Sequence, residues 1–263
     1  MALDLTAVIV RILAADGRTA GTGFLVAPGG LIATCAHVVR DAGAGPGGVV
    51  RLSLHATGEQ HQAHVVPEWW RNPQAEDIAI LRLDGPVPDA CHALSLAATE
   101  SGLAGAQFRA FGYPAMGDIQ GIHAAGPVQG VVTTSLGRRL LQLSSPDLAQ
   151  GMSGAPVVEE SSGLVVGMVT AVYHPDPTTK HRDTAFATPA EALAQVCSAL
   201  TLRPLPAQPG TAALSVGGDL TAAGDVVGRD KITNIIQGLG DLPTRHDGAV
   251  RNFLEYYLGT PGK

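Results

Sequence analysis

The sequence is short of the features that mark several common protein classes. It has three cysteines, Cys35, Cys91 and Cys197. An odd, scattered set does not make the paired-disulfide framework expected of a secreted protein of this size, so reduced, buried thiols are expected. Lysine supplies only three of 17 basic residues (Lys180, Lys231, Lys263), net charge is −6, and no Lys/Arg run stands out. Nucleic acid is therefore not expected as a partner. No apolar run is long enough to span a bilayer, which argues against a membrane partner. Met1–Leu13 contains Asp4 and Arg11, lacks a basic n-region, and precedes no small-residue cleavage site. The expected location is the cytoplasm. Long periodic helices between strands are also missing, which argues against a parallel β/α fold.

What is present is 45% hydrophobic residues over 263 positions, enough for a sizeable core. Apolar or alternating runs fall at 7–13, 23–26, 31–35, 49–54, 78–83, 107–111, 128–134, 140–143, 155–158, 164–172 and 184–187. Gly, Pro, Asp or Asn separates nearly all of them. This pattern predicts an all-β barrel or sandwich over residues 1–200. One clear helix is expected at Pro189–Leu200, with Pro near its first turn and Glu191 close behind.

Composition then shifts. Residues 201–216 read as a linker, with three prolines in its first 11 residues. Residues 217–240 form a short repeat-like β segment, in which Gly218-Asp219, Gly224-Asp225 and Arg229-Asp230 recur every five or six residues. Such a segment cannot bury its own face and needs copies of itself or a partner, so self-association through residues 217–258 is expected. Residues 241–263 are expected as a helical connector that stops before a further domain.

Three segments carry chemistry. They are Gly21–Val26 followed by Leu31-Ile-Ala-Thr-Cys-Ala-His37-Val-Val, then Glu76-Asp77-Ile-Ala-Ile-Leu-Arg-Leu83, then Gln150-Gly-Met-Ser153-Gly-Ala-Pro-Val. A serine hydroxyl is a poor nucleophile at neutral pH. It needs a base in contact with it, and the base needs an acid that fixes its tautomer. His37, Asp77 and Ser153 are far apart in sequence, so only a fold can assemble them.

These segments resemble the His, Asp and Ser boxes of the chymotrypsin-fold (trypsin-like) serine peptidases, in the same chain order, over roughly residues 5–200. The disulfide-free style, with TCAHVV and GMSGAPVV, is similar to bacterial Htr-type and glutamyl-endopeptidase relatives. The resemblance implies two six-stranded antiparallel β-barrels with a short C-terminal helix, plus a small β-turn/helix appendage. It implies catalytic roles for His37, Asp77 and Ser153, and an oxyanion hole from the Gly151 and Ser153 amides. It implies a protein substrate and no cofactor or metal. In digestive members an Asp directly precedes the nucleophile and pairs with a new N-terminus. Met152 stands here instead, so control by N-terminal insertion is not expected. The residue six positions before the nucleophile, which floors the primary pocket in trypsin-like enzymes, is Asp147, and this implies cleavage after Arg or Lys. The run Ser144-Ser145-Pro146 before it also suits a turn. Thr170 and Val172 lie on the strand expected to line the substrate cleft.

Other candidates have two readings. Cys35, two residues from His37, is read as core rather than catalytic. His55, His61 and His64 could bind zinc, but no cysteine pair or acidic set accompanies them, and a solvated hairpin is the better reading. Of Trp69 and Trp70, one is expected in the core and the other at a surface. Tyr173 and His174 belong either to a specificity loop or to a plain surface loop. Finally, GDVVGRDKI with FLEYYLGT is similar to the connector before the NTPase core of bacterial NLR-like (STAND) signalling proteins. That resemblance implies an effector domain in antiphage signalling and a C-terminal NTPase domain as partner. A silent protease-fold binding or oligomerisation module is the alternative to an enzyme.

Overall fold

Apolar and alternating runs pair edge to edge here and close on themselves. The computed structural model describes residues 4–99, 103–115, 119–172 and 183–206. The chain divides into units Met1–Leu205 and Pro206–Lys263. The repeat-like segment 217–240, the connector 241–263 and the loop carrying Tyr173 and His174 lie outside the described residues.

In the first unit, β1 (Ile9–Leu13), β2 (Thr19–Ala27), β3 (Leu31–Thr34), β4 (Val49–Leu54), β5 (Gln60–Arg71) and β6 (Ile78–Leu83) close a barrel in the order β1-β2-β3-β6-β5-β4. All its pairings are antiparallel; Val10, for example, faces Gly23 on one side and Leu54 on the other. Next come β7 (Leu96–Ala98), β8 (Gln107–Gly112), β9 (Ile122–Thr133), β10 (Arg139–Ser144), β11 (Pro156–Glu159), β12 (Val165–Val172) and β13 (Thr184–Pro189). Strands β8 to β13 run β11-β8-β9-β10-β13-β12, and the β11–β12 pairing closes this second six-stranded barrel. The short strands β7 and β14 (Leu202–Pro204) pair in parallel beside β12. The expected architecture of two six-stranded barrels is therefore the one observed.

The first core packs Phe24, Ile12, Ile32, Leu52, Ile80 and Leu81, and the second packs Phe108, Leu141, Leu143, Val157 and Val169, all at most 1% exposed. Burying one such side chain contributes about 1.5–3 kcal/mol. Helix α1 (Ala36–Asp41) follows β3, and α2 (Ala190–Val196) follows β13. The helix expected over Pro189–Leu200 is thus shorter: Pro189 is its N-cap, and the cap amide of Cys197 closes on Leu193. Leu202–Pro204, at the head of the expected linker, forms β14. No described helix is long and apolar enough to cross a membrane.

Candidate active site

Strand β3 is buried along its whole length and delivers Cys35 and then α1, whose second residue is His37. Asp77 lies just ahead of the buried strand β6. Its backbone is left-handed (φ +57°), the one non-glycine residue so placed among the described residues. That conformation costs about 1–3 kcal/mol and persists only where surroundings enforce it. Here the Asp77 amide donates to the Asn72 carbonyl at 3.1 Å.

The turn aims a carboxylate, 2% exposed, at the start of α1. Asp77 Oδ1 accepts from the His37 amide at 2.9 Å, and Oδ2 pairs with His37 Nδ1 at 2.7 Å. Thr170 Oγ1 donates to the same Oδ2 at 2.9 Å. Burial pushes the Asp77 carboxyl up, but the hydrogen bonds and charge of His37, helped by Arg138, outweigh it and hold the group below its ordinary range. An ionised carboxylate only accepts, so Nδ1 carries the hydrogen and Nε2 is left as the basic nitrogen.

The second barrel brings Ser153. Gly151 is left-handed (φ +96°), and a Cβ there would lie 2.5 Å from the Ala115 nitrogen and 2.8 Å from the Tyr113 oxygen. Only glycine fits so close to neighbouring backbone. Ala115 N–H donates to the Gln150 carbonyl at 2.7 Å and fixes the loop on that side. On the other side, Thr22 N–H donates to the Ser153 carbonyl at 2.9 Å, and Gly154 N–H to Val169 O at 2.7 Å. The Gly151 and Ser153 amides donate to none of the described residues. Ser153 Oγ donates to the Thr170 carbonyl at 3.5 Å. Gly21 shows how close the Ser153 and His37 segments come. A Cβ there would meet Val38, the neighbour of His37, at 2.6 Å and the Ser153 carbonyl oxygen at 3.1 Å.

A carboxylate-bound histidine and a serine on a glycine-shaped turn are thus carried by segments that meet at Gly21, within two β-barrels, and the trypsin-like peptidase domain family matches residues 21–168, more than half of the chain. The chain belongs to that family. No curated protein matches it. Among solved structures it is similar to the HtrA-type protease AlgW with a decapeptide: 17% identity and TM-score 0.56, covering 73% of this chain and 63% of that one. It is also similar to the Rv3671c protease of M. tuberculosis H37Rv in its inactive form, at 23% identity and TM-score 0.55, covering 74% and 90%. A serine endoprotease from Yersinia pestis matches at 19% identity and TM-score 0.55, covering 74% and 62%. Identities this low establish the fold. The chain spans less than two thirds of the length of the AlgW and Yersinia structures.

Within this trypsin-like domain the remaining candidates separate. Thr170, expected to line the cleft, instead buries its side chain against Asp77, and its carbonyl is what faces Ser153. Val172 ends β12 opposite Ala185. Asp147 is exposed in a turn, its amide donating to Ser145 Oγ at 3.3 Å. An exposed carboxylate is not desolvated as a pocket floor would be, so the expected Arg/Lys preference loses its physical basis. Met152 is fully buried, with its sulfur accepting from the Ala149 amide at 3.5 Å.

Cys35 is buried, and its Sγ donates to the Val169 carbonyl at 3.3 Å. Burial and the Asp77 charge push its thiol well above the ordinary range, so it is an inert neighbour. Cys35, His37 and Asp77 offer ligand atoms within 4.8 Å of one another, the one such grouping among the described residues. His37 Nδ1 and Asp77 Oδ2 bond each other, so this is a hydrogen-bonded pair with a thiol behind it rather than an open ligand set.

The three histidines of the zinc reading part company. His55 Nδ1 meets Tyr113 Oη at 2.7 Å, His61 lies near Glu59, and His64 near Asp84. Trp69 and Trp70 are both half-buried. The Arg82 guanidinium sits over the Trp69 ring, and Trp70 Nε1 donates to Asn72 at 3.1 Å. Two contributors escaped the sequence reading. Thr22, within the Gly21–Val26 segment, accepts from the Tyr113 amide at 2.9 Å through its hydroxyl and so ties the barrels together. Arg138, on the β9–β10 hairpin, reaches the Asp77 segment, and nothing in its sequence context marked it.

Proposed function

We propose that this trypsin-like domain is a serine endopeptidase acting on protein substrates through Ser153, His37 and Asp77. The observation that carries the reading is the Asp77–His37 pair at 2.7 Å, which fixes the tautomer a general base requires. Ser153 Oγ would swing from the Thr170 carbonyl toward Nε2, lose its proton to His37, and attack the scissile carbonyl. The carbonyl oxygen would gain negative charge facing the Gly151 and Ser153 amides. His37 would then protonate the leaving amine, and water would repeat the sequence on the acyl-enzyme. Each amide of such a hole contributes about 100- to 1,000-fold in rate.

A silent binding module is the second reading. It draws on the position of Ser153 Oγ, bonded to the Thr170 carbonyl rather than to His37. The test is cleavage of an unbiased, proteome-derived peptide library by the wild-type chain and by Ser153→Ala. Cleavage by the first and none by the second is expected. No cleavage by either folded protein would favour the binding module. The same data read the residue preceding the cut, where the sequence expectation is Arg or Lys. The antiphage role, the cytoplasmic setting, self-association through 217–258 and a partner NTPase domain are proposals that rest on the C-terminal sequence resemblance and on composition.

A further inference from the structure

We propose that Arg138 is a positioning residue of this site, reaching across from the second barrel to set the Glu76–Asp77 backbone and the proton of Thr170. The inference rests on the peptidase reading above. Arg138 follows a tight turn, in which the Arg138 carbonyl accepts from the Thr134 amide at 2.8 Å and the Arg138 amide donates to Thr134 Oγ1 at 3.1 Å. This hydrogen-bonded hairpin end points one guanidinium nitrogen at three acceptors. It donates to the Glu76 carbonyl at 2.8 Å, to Thr188 Oγ1 at 2.9 Å and, at the longer distance of 3.4 Å, to Thr170 Oγ1.

Each contact bears on Asp77. The Glu76 carbonyl belongs to the peptide that leads into the left-handed Asp77. That strained residue is therefore pinned by Asn72 from its own barrel and by Arg138 from the other. A guanidinium has only donors, and its charge repels a hydroxyl hydrogen. The single proton of Thr170 is consequently directed away from Arg138 and onto Asp77 Oδ2, where the 2.9 Å bond is found. Arg138, Thr170, Asp77 and His37 form one polarised line that ends at the base.

This half-buried cation also gains from a partner. Among the described residues no carboxylate lies within ion-pair distance of Arg138. Burial pulls the guanidinium down from its ordinary range, and the Asp77 charge is the largest force opposing that. An unpaired buried charge is costly, and a hydroxyl-bridged partner offsets that cost. The arrangement is thus an ion pair split by Thr170, with the catalytic carboxylate as its negative end. A cleft of about 380 Å³, lined by Glu76, Leu136, Arg138, Thr188 and Glu191, opens beside it.

The test compares the full-length chain with Arg138→Met, Arg138→Gln, Arg138→Lys and Arg138→Ala. Two readouts are used: peptide hydrolysis, and the far-downfield proton NMR signal of His37 Nδ1–H, which reports its bond to Asp77. Arg138→Met is expected to lose about 10- to 100-fold in kcat with little change in KM, and to lose or shift the signal upfield. Arg138→Gln should behave alike while keeping a donor for Glu76, and it carries the test should the Met protein not fold. Arg138→Lys should recover part of both readouts, and millimolar methylguanidinium, entering the cleft, should recover part of both in Arg138→Ala. A neutral variant that folds with the downfield signal and kcat of the wild type would overturn the proposal, even if its melting temperature had dropped. The NMR readout needs no turnover, so a wild-type chain that shows the signal but cleaves nothing would sink the peptidase reading without touching this one.

Discussion

The two barrels do unequal work in arranging the site. The first barrel presents a histidine whose orientation is complete. His37 is bonded to Asp77 through both its ring and its amide, and the carboxylate takes a third hydrogen bond from Thr170. The second barrel presents a serine whose main chain is fixed and whose hydroxyl is not. The Ser153 carbonyl and its neighbours are tied to Thr22 and Val169, but Oγ makes one long bond, 3.5 Å, to a backbone carbonyl. The reason is chemical. A buried carboxylate must be fully hydrogen-bonded or its desolvation would unfold the turn around it. A part-exposed hydroxyl carries no such penalty. Orientation of His37 is therefore built into the fold, whereas under the proposed mechanism Ser153 would still have to turn its hydroxyl from the Thr170 carbonyl toward His37.

Asp77→Asn should break the completed half most sharply. The substitution keeps shape but offers an amide where His37 needs an acceptor, which favours the wrong tautomer. A loss of about 10,000-fold in kcat is expected at neutral pH with the fold retained. Steady-state peptide hydrolysis beside circular dichroism would check it, and a loss under tenfold would mean that the dyad is not catalytic.

Gly151→Ala attacks the other half. A methyl group there must displace the Ala115 backbone and adopt a left-handed conformation. Loss of one oxyanion donor predicts a fall of about 100- to 1,000-fold in kcat. The Asp77–His37 NMR signal should survive, because the first barrel is untouched. Loss of that signal would show that the two halves are not separable.

The smallest effect concerns acid stability. Asp77 is held below its ordinary range, so the stability it contributes is present above about pH 3.9, the unfolded carboxyl value, and is lost as pH falls through the lower folded value. Urea unfolding midpoints below pH ~4 should therefore decline more steeply for the wild type than for Asp77→Asn. Parallel curves would remove the carboxylate from the stability account.

Much of this was legible in the sequence because a strand with one buried face alternates and a strand buried on both faces is a short apolar run. Val49–Leu54, the first kind, and Ile78–Leu83, the second, fall where the apolar pattern put them. β5 was not legible: of its 12 residues only Ala63 and Val65 are buried, and Pro67 sits in the irregular stretch between Val65 and Trp70 where the register with β6 shifts. α1 was hidden for another reason. Six residues are too few for a helical period to show, and Val38-Val39 reads as strand.

The box residues His37, Asp77 and Ser153 announced themselves through their neighbours. Thr170 and Arg138 did not, because their roles depend on contacts across 93 and 62 positions of chain, with Asp77 and Glu76 respectively. Asp147 was misleading in the opposite way. A count along the chain placed it under the nucleophile, and local turn chemistry left it in solvent.

The central claim is that Ser153 is an activated nucleophile, and reaction with a fluorophosphonate probe tests it most directly. The folded wild-type chain should be labelled, with the adduct mapped to Ser153 by mass spectrometry. Labelling should vanish in Ser153→Ala and slow by orders of magnitude in His37→Ala. A folded wild-type chain that takes up no label, or a Ser153→Ala chain labelled as fast as the wild type, would contradict the account.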